Sequence, residues 1–180
     1  MGNSRIIKMA GLTIVVLFSY MAALKAQSPE KRLAELKLSV PELQPANNNY
    51  VGAVRSGNLI FLSGKGSRSS NGAYITGRLG QNMEVADGVK AARLIALAQI
   101  AELKAAIGEL AKVKRIVKVN GFINSTADFS GQSIVLDGFS DMMVAVFGEN
   151  GKHARTSVGV ASLPLNMALE IEMIVEILPE

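Results

Sequence analysis

Cysteine and tryptophan are absent from the 180 residues, and histidine occurs once. Without a thiol there is no disulfide, no thiolate zinc site, no thiol nucleophile and no lipid-modified N-terminal cysteine. The lone His153 gives a Ser-His-Asp triad only one place to be built and leaves a histidine metal site without companions. It reads instead as the end of a loop. Aromatics are scarce, three Tyr and six Phe, so the chain has little with which to stack bases.

Acidic residues are missing from the first 26 positions, which hold Arg5 and Lys8 and then an apolar run, Met9–Leu24, closed by Leu24-Lys25-Ala26. A basic start, an apolar stretch shorter than the roughly 20 residues that span a bilayer, and a small residue at the end together predict an export signal over 1–26. The expected location is periplasmic or secreted, with no membrane association after cleavage; left uncut, the same segment would be a tether. Removing three basic residues and no acidic one from 19 Lys+Arg and 15 Asp+Glu leaves 16 against 15, a net +1. A near-neutral domain poor in aromatics lacks the basic face that nucleic acid requires, so no nucleic-acid partner is expected.

What remains is long enough for one domain with a sizeable core. Residues 27–49 read as an arm: SPEKRLAELKL (28–38) is a short helix with an early Pro, and VPELQPANNN (40–49) is a loop with two Pro and an Asn triplet. From Tyr50 the hydrophobic period becomes two. YVGAVR and LIFLSG form a hairpin around Ser56-Gly57-Asn58, and a third strand is expected near 73–76. Val85–Ile107 has the 3.6 period of a helix with Gly108 at its end; Val113–Asn124 alternates as a strand; Ile134–Phe147 is a second helix stopped by Gly148; and two strands flank Leu163-Pro164. Strands first, then alternation with two long helices, predict an α+β domain over 50–180, with an antiparallel or mixed sheet and two helices on one face.

Several small motifs carry no chemistry. Gly64-Lys65-Gly66 lacks the spacing and the Ser/Thr of a phosphate loop. Asn124-Ser125-Thr126 fits a glycosylation acceptor, relevant only in a eukaryotic secretory route. Met142 and Met143 read as packing.

The segment HARTSVGVASLPLNMALEIEMIVEI (153–177) is more informative. On the first of its strands Arg155, Ser157, Gly159 and Ala161 share a face. Small neighbours leave room beside a guanidinium, the group best shaped to hold a carboxylate by two parallel hydrogen bonds, so Arg155 reads as a carboxylate anchor. On the second strand Leu169, Ile171, Met173, Val175 and Ile177 face one way, and Glu170, Glu172, Ile174 and Glu176 the other. The competing reading is a solvated face whose ion pairs are each worth about 1 kcal/mol or less.

These residues also resemble a known family. The 153–177 segment is similar to the C-terminal signature of the RidA (YjgF) family, an Arg-led strand, a Leu-Pro turn and a strand reading Glu-Ile-Glu. YVGAVRSGNLIFLSGKG (50–66) is similar to its Tyr-led hairpin and Ser-Gly-Gln, and VKRIVKVNGFINSTADF (113–129) to its later strand.

The resemblance implies a chorismate-mutase-like fold, a homotrimer with ligand sites between subunits, and hydrolysis of reactive enamine/imine acids to 2-keto acids and ammonia without metal or organic cofactor. It implies that Arg155 holds the substrate carboxylate and that Glu170 positions the attacking water. Tyr50 would stand at the cleft mouth and Ser157 would hold substrate through its backbone. Gly64 and Lys65 occupy the Ser-Gly-Gln turn, where Lys65 replaces Gln and would add a second positive charge; Gly159 stands where Glu is frequent. Either Asp137 or Ser140 is the candidate from the second helix. The alternative function is a noncatalytic trimer that binds small carboxylates.

Overall fold

The computed structural model describes residues 27–43, 49–69 and 71–179. The expected export signal and residues 44–48 of the expected loop lie outside the described residues. Among the described residues no helix is long and apolar enough to cross a membrane.

Five strands form one sheet: β1 (Ala53–Ser56), β2 (Leu59–Gly66), β3 (Val113–Asn124), β4 (Ala154–Val160) and β5 (Leu169–Ile177), in the order β1-β2-β5-β3-β4. All pairs are antiparallel except β3 with β4. Three helices accompany them, α1 (Pro29–Glu35), α2 (Val85–Ile107) and α3 (Gln132–Phe147). The fold is therefore α+β with a mixed sheet, as the sequence pattern predicts.

The covered face follows from periodicity. In β5 every odd residue from Leu169 to Ile177 is buried and every even one is half-buried. In α2 the buried set includes Ala92, Ile95, Gln99, Ile100, Leu103 and Ile107, a stripe at helical spacing, and the chain leaves the helix through Gly108 at φ 82. Leu136, Phe139 and Met143 of α3 complete the core. Burying each large apolar side chain stabilises by about 1.5–3 kcal/mol, so the sheet and the two long helices hold each other.

The arm is docked. Leu33 of α1 is buried with the core, and the Glu30 carboxylate accepts from the Leu110 backbone N–H at 2.7 Å. Its helix is shorter than the 28–38 pattern suggests, because Leu36 already closes it.

The third strand expected near 73–76 does not form. Tyr74 bridges only Arg68, and Thr76 only Met167. The Asn71 side chain accepts from the Ala73 N–H, which favours a local turn over ladder pairing. The segment becomes a strap across one end of the sheet.

Two features position the candidate site. A parallel β3–β4 pair requires a crossover, and α3 supplies it, so α3 lies over the inner face of β4. In β2 the register with β5 slips between Leu62 and Lys65, which bulges the strand at Ser63-Gly64. Gln99 of α2 fits this irregularity: its Nε2 donates to the carbonyls of Ser63 at 3.0 Å and Ile171 at 2.6 Å.

Candidate active site

Arg155 points from β4 under α3. Its Nη1 donates to Asp137 Oδ1 at 2.7 Å and to Ser140 Oγ at 3.2 Å, and its Nη2 donates to Ser133 Oγ at 2.7 Å. Ser133, Asp137 and Ser140 lie at helical positions i, i+4 and i+7, so one face of α3 grips the guanidinium. Both helix candidates, Asp137 and Ser140, therefore meet Arg155. Ser133 is not among the residues that the sequence pattern singles out, although it lies one helical turn before Asp137 on the same face. The room expected beside Arg155 is partly filled by these groups. A guanidinium has five N–H donors, and two of them remain without a partner among the described residues.

His153 continues this network. Its Nδ1 lies 2.7 Å from the Gly151 carbonyl, which can only accept, so Nδ1 carries the proton. The bare Nε2 then accepts from the Ser140 hydroxyl at 3.0 Å. Burial pushes the imidazole below its ordinary 6.5; the Gly151 hydrogen bond opposes this and the Arg155 charge reinforces it. A neutral His153 thus orients Ser140, and Ser140 orients Arg155.

Glu170 lies on the other side of the sheet. Phe122 of β3 is its register partner, and Phe122 also pairs with Val158 of β4, whereas Arg155 pairs with Val119 on the covered face. Burial raises the Glu170 pKa above its ordinary 4.5, and repulsion from Glu172 raises it further. Asn120 donates to Glu172 at 2.9 Å, while Glu170 has no hydrogen-bond partner among the described residues. Gly64 at the β2 bulge makes room for it, since a Cβ there would collide with Glu170 Oε1.

The other expected residues divide between these two places. Ser157 follows Arg155 on the same face of β4, half-buried. Tyr50 is exposed, just ahead of Val51, whose carbonyl accepts from Ser63 Oγ at 2.7 Å beside the bulge. Lys65 turns toward the helices and forms a 2.7 Å ion pair with Glu102 of α2, so its charge is matched there and not directed at Glu170. Glu102 carries no signal in the sequence that would mark it as the partner. Among the described residues no three His, Cys, Asp or Glu gather as metal ligands.

The geometry therefore presents two separate places: a held cation with spare donors under α3, and over Gly64 a carboxylate of raised pKa with no hydrogen-bond partner among the described residues. Two strand spacings of about 4.8 Å separate β4 from β5, and the two side chains leave the sheet on opposite faces. Within one chain they do not meet.

Protein TCP17 of Trypanosoma cruzi is 42% identical over 146 residues, 81% of this chain and 91% of that protein. The 2-iminobutanoate/2-iminopropanoate deaminase of Dermatophagoides farinae is 31% identical over 149 residues, 82% of this chain and 97% of the relative. A crystal structure of a protein of unknown function from Agrobacterium tumefaciens superposes with a TM-score of 0.76 at 42% identity, covering 83% of this chain and 93% of that one. The family model described as "YjgF/chorismate_mutase-like, putative endoribonuclease" matches residues 30–177, and the chain belongs to that YjgF (RidA) family.

Proposed function

We propose that the protein hydrolyses small enamine/imine acids to 2-keto acids and ammonia, at sites completed between copies of the chain. The observation that carries this reading is Glu170, a half-buried carboxylate of raised pKa with no hydrogen-bond partner among the described residues, seated in the space that Gly64 leaves for it. A carboxylate whose pKa is raised by burial is a stronger base toward water than an exposed one. The deaminase relative from the mite adds support from similarity.

In the proposed reaction Arg155 holds the substrate carboxylate with its two unspent donors, supported by Ser133, Asp137 and Ser140. An enamine first takes a proton at carbon and becomes the imine. Water adds to the imine carbon, its oxygen forming the new bond while Glu170 takes a proton and the C=N electron pair moves to nitrogen. Glu170 then returns the proton to nitrogen, and as the C–N bond breaks and ammonia leaves, the hydroxyl gives its remaining proton to the Glu170 carboxylate and becomes the C=O; that proton serves the next enamine protonation. An imine is already electrophilic, so holding and orientation can supply much of the acceleration.

Because Arg155 and Glu170 leave opposite faces of one sheet, a complete site needs Glu170 of one copy to approach Arg155 of another. A homotrimer would provide this. The face bearing Glu170 also exposes Phe61 at 42% and Val158 at 39%, with Phe122 and Ile174 half-buried among them. Apolar side chains gathered on an uncovered sheet face favour such an interface. Export by the 1–26 segment belongs to the same proposal, and mass spectrometry of the mature N-terminus tests it.

A noncatalytic carboxylate-binding trimer is the second reading. It is favoured by the Asp137 carboxylate, which already occupies part of the Arg155 guanidinium. A ribonuclease reading would need a histidine free to exchange protons with a substrate, and both ring nitrogens of His153 are engaged, by Ser140 and by Gly151.

The decisive experiment supplies 2-aminoacrylate enzymatically and follows ammonia release. The protein should accelerate it; Arg155→Ala should abolish the gain, and Glu170→Gln should abolish turnover while leaving carboxylate binding. Binding without acceleration would replace the first reading with the second.

A further inference from the structure

Lys65 follows Gly64 on β2 and precedes Gly66, the register partner of Glu170. The glycines on both sides bring no side chain of their own, and Glu170 is seated in the space that Gly64 leaves. The strand is also open along one edge here. β1 reaches back only to Ala53, opposite Leu62, with one further hydrogen bond from the Ser63 N–H to the Gly52 carbonyl at 2.9 Å. Beyond that point no described strand pairs with β2 on the side away from β5, so nothing in the ladder bars the Lys65 side chain from turning round the edge toward the face that carries Glu170.

Its side chain is nonetheless committed to the helix side. Nζ donates to Glu102 Oε2 at 2.7 Å, and the two side chains are only 29% and 16% exposed. The Glu102 carboxylate is confined in turn, because Gly52 lies against it and a Cβ there would collide with Oε1. Gly52 has no positive φ, so the nearby carboxylate, and not the backbone, is what a side chain at this position would disturb.

Removing one member of an ion pair so far withdrawn from water leaves the other without compensation. For Lys65 the available replacement is Glu170, a carboxylate with no hydrogen-bond partner among the described residues. The other ionisable groups on that side are engaged. Glu172 accepts from Asn120, Lys118 donates to Thr156, and Tyr74, packed against Gly66, accepts from Arg68, whose guanidinium lies 3.8 Å over its ring. β4 contributes no charge to this face. Burial and then Glu172 raise the Glu170 pKa, and no cation opposes them.

We infer that Glu102 is a positioning residue for the Glu170 site: it holds the Lys65 ammonium on the helix side and keeps it off the Glu170 carboxylate, which stays free to act on water. This deepens the proposed function and rests on its reading of Glu170 as the base.

The test reads Glu170 apart from turnover. NMR titration of isotope-labelled glutamate carboxyls, with the Glu170 signal assigned by its loss in Glu170→Gln, gives the midpoint in the full chain. Glu102→Gln should lower that midpoint by about one pH unit as Lys65 turns to the carboxylate, and the acid limb of kcat/KM with 2-aminoacrylate should move the same way. Adding Lys65→Gln to Glu102→Gln should return the midpoint to its parent value, a rescue that mere loss of packing would not give. Should circular dichroism show that Glu102→Gln does not fold, Gly52→Ala decides, since it displaces the Glu102 carboxylate and leaves both charges in the chain; it should lower the midpoint, and Lys65→Gln should reverse the change. An unmoved midpoint, or a lowered one that persists without Lys65, overturns the inference. A midpoint that moves in a protein without turnover would keep the assignment of Glu102 while the proposed function fell, and turnover that depends on Glu170 with an unmoved midpoint would do the reverse.

Discussion

The two faces of the sheet are built from the same strands and the same alternation, yet they do different work. On the covered face Val119, Ile123, Leu169, Ile171 and Val175 are fully buried beneath the helix layer. On the open face apolar and ionisable residues interleave: Phe61 pairs with Ile174, Phe122 with Glu170, and Asn120 with Glu172. The covered face is apolar at its centre, where it holds the fold together, and polar only toward β4 and the β2 bulge. On the open face the carboxylates keep apolar side chains compatible with water, and those side chains in turn raise the pKa of Glu170. The lesson is that alternation alone lets one sheet keep an apolar core on one side and partly desolvated carboxylates on the other, with Arg155 admitted to the covered side only on the edge strand β4.

The sharpest way to break that comparison is to truncate one large side chain on each side. Phe139→Ala empties a fully buried site beneath α3 and should cost about 3–5 kcal/mol. Val158→Ala, on the open face, should cost the folded protomer less than about 1 kcal/mol. Urea denaturation midpoints of the two variants read the difference. Equal losses would mean that the open face is as essential to the protomer's fold as the covered one.

Gln99→Leu asks how the two faces communicate. The amide sits in the apolar layer and satisfies two carbonyls freed by the β2 bulge, the same bulge that sets Gly64 beneath Glu170. Leaving buried carbonyls unpaired should destabilise by about 2 kcal/mol, partly offset because the unpartnered Gln99 Oε1 is removed as well. Faster hydrogen exchange confined to amides around Ser63–Lys65, together with a lower urea midpoint, is the expected result. Uniform exchange along the chain would show that the bulge does not rely on Gln99.

Glu170→Gln should separate stability from activity. Because the folded-state pKa is raised above 4.5, the folded protein binds more protons than the unfolded chain in the window above that value. Stability is therefore greater at acid pH and is lost as pH rises through the folded pKa. The glutamine variant has no such loss, so it should be the more stable protein at neutral pH, with the gap closing as pH falls toward 4.5. Thermal melts across this range, read beside turnover, check both halves. A variant less stable than its parent at neutral pH would contradict the raised pKa.

The elements were legible where one signal decided them. Val85–Ile107 and Val113–Asn124 match their expected bounds to the residue, because a long periodic run and flanking turns leave little choice. The strand near 73–76 was misread because Asn71 and the neighbouring glycines favour a turn that a short β-branched run cannot overcome. The site was legible only in halves. Alternation separated Arg155 from the glutamates along their strands, but which face each strand turned to the helices depended on strand order, which no local pattern encodes. Ion-pair partners such as Glu102 for Lys65 depend on the same long-range packing.

The smallest expected effect concerns His153, and it runs against that of Glu170. Its folded-state pKa is depressed below 6.5, so the unfolded chain binds the extra proton, and stability is full above 6.5 and lost as pH falls from there toward the folded value. Protonation also turns Nε2 from acceptor to donor, so Ser140 can no longer donate to it and must turn, loosening one of the three α3 contacts on Arg155. Carboxylate affinity should consequently weaken modestly below 6.5, and His153→Asn should remove that acid limb while retaining binding above it. Affinity measured from pH 7.5 to 5 in about half-unit steps reads the effect. If the parent and the His153→Asn protein give parallel profiles, the imidazole does not govern Arg155, and the covered face loses its one proposed titrating control over the site.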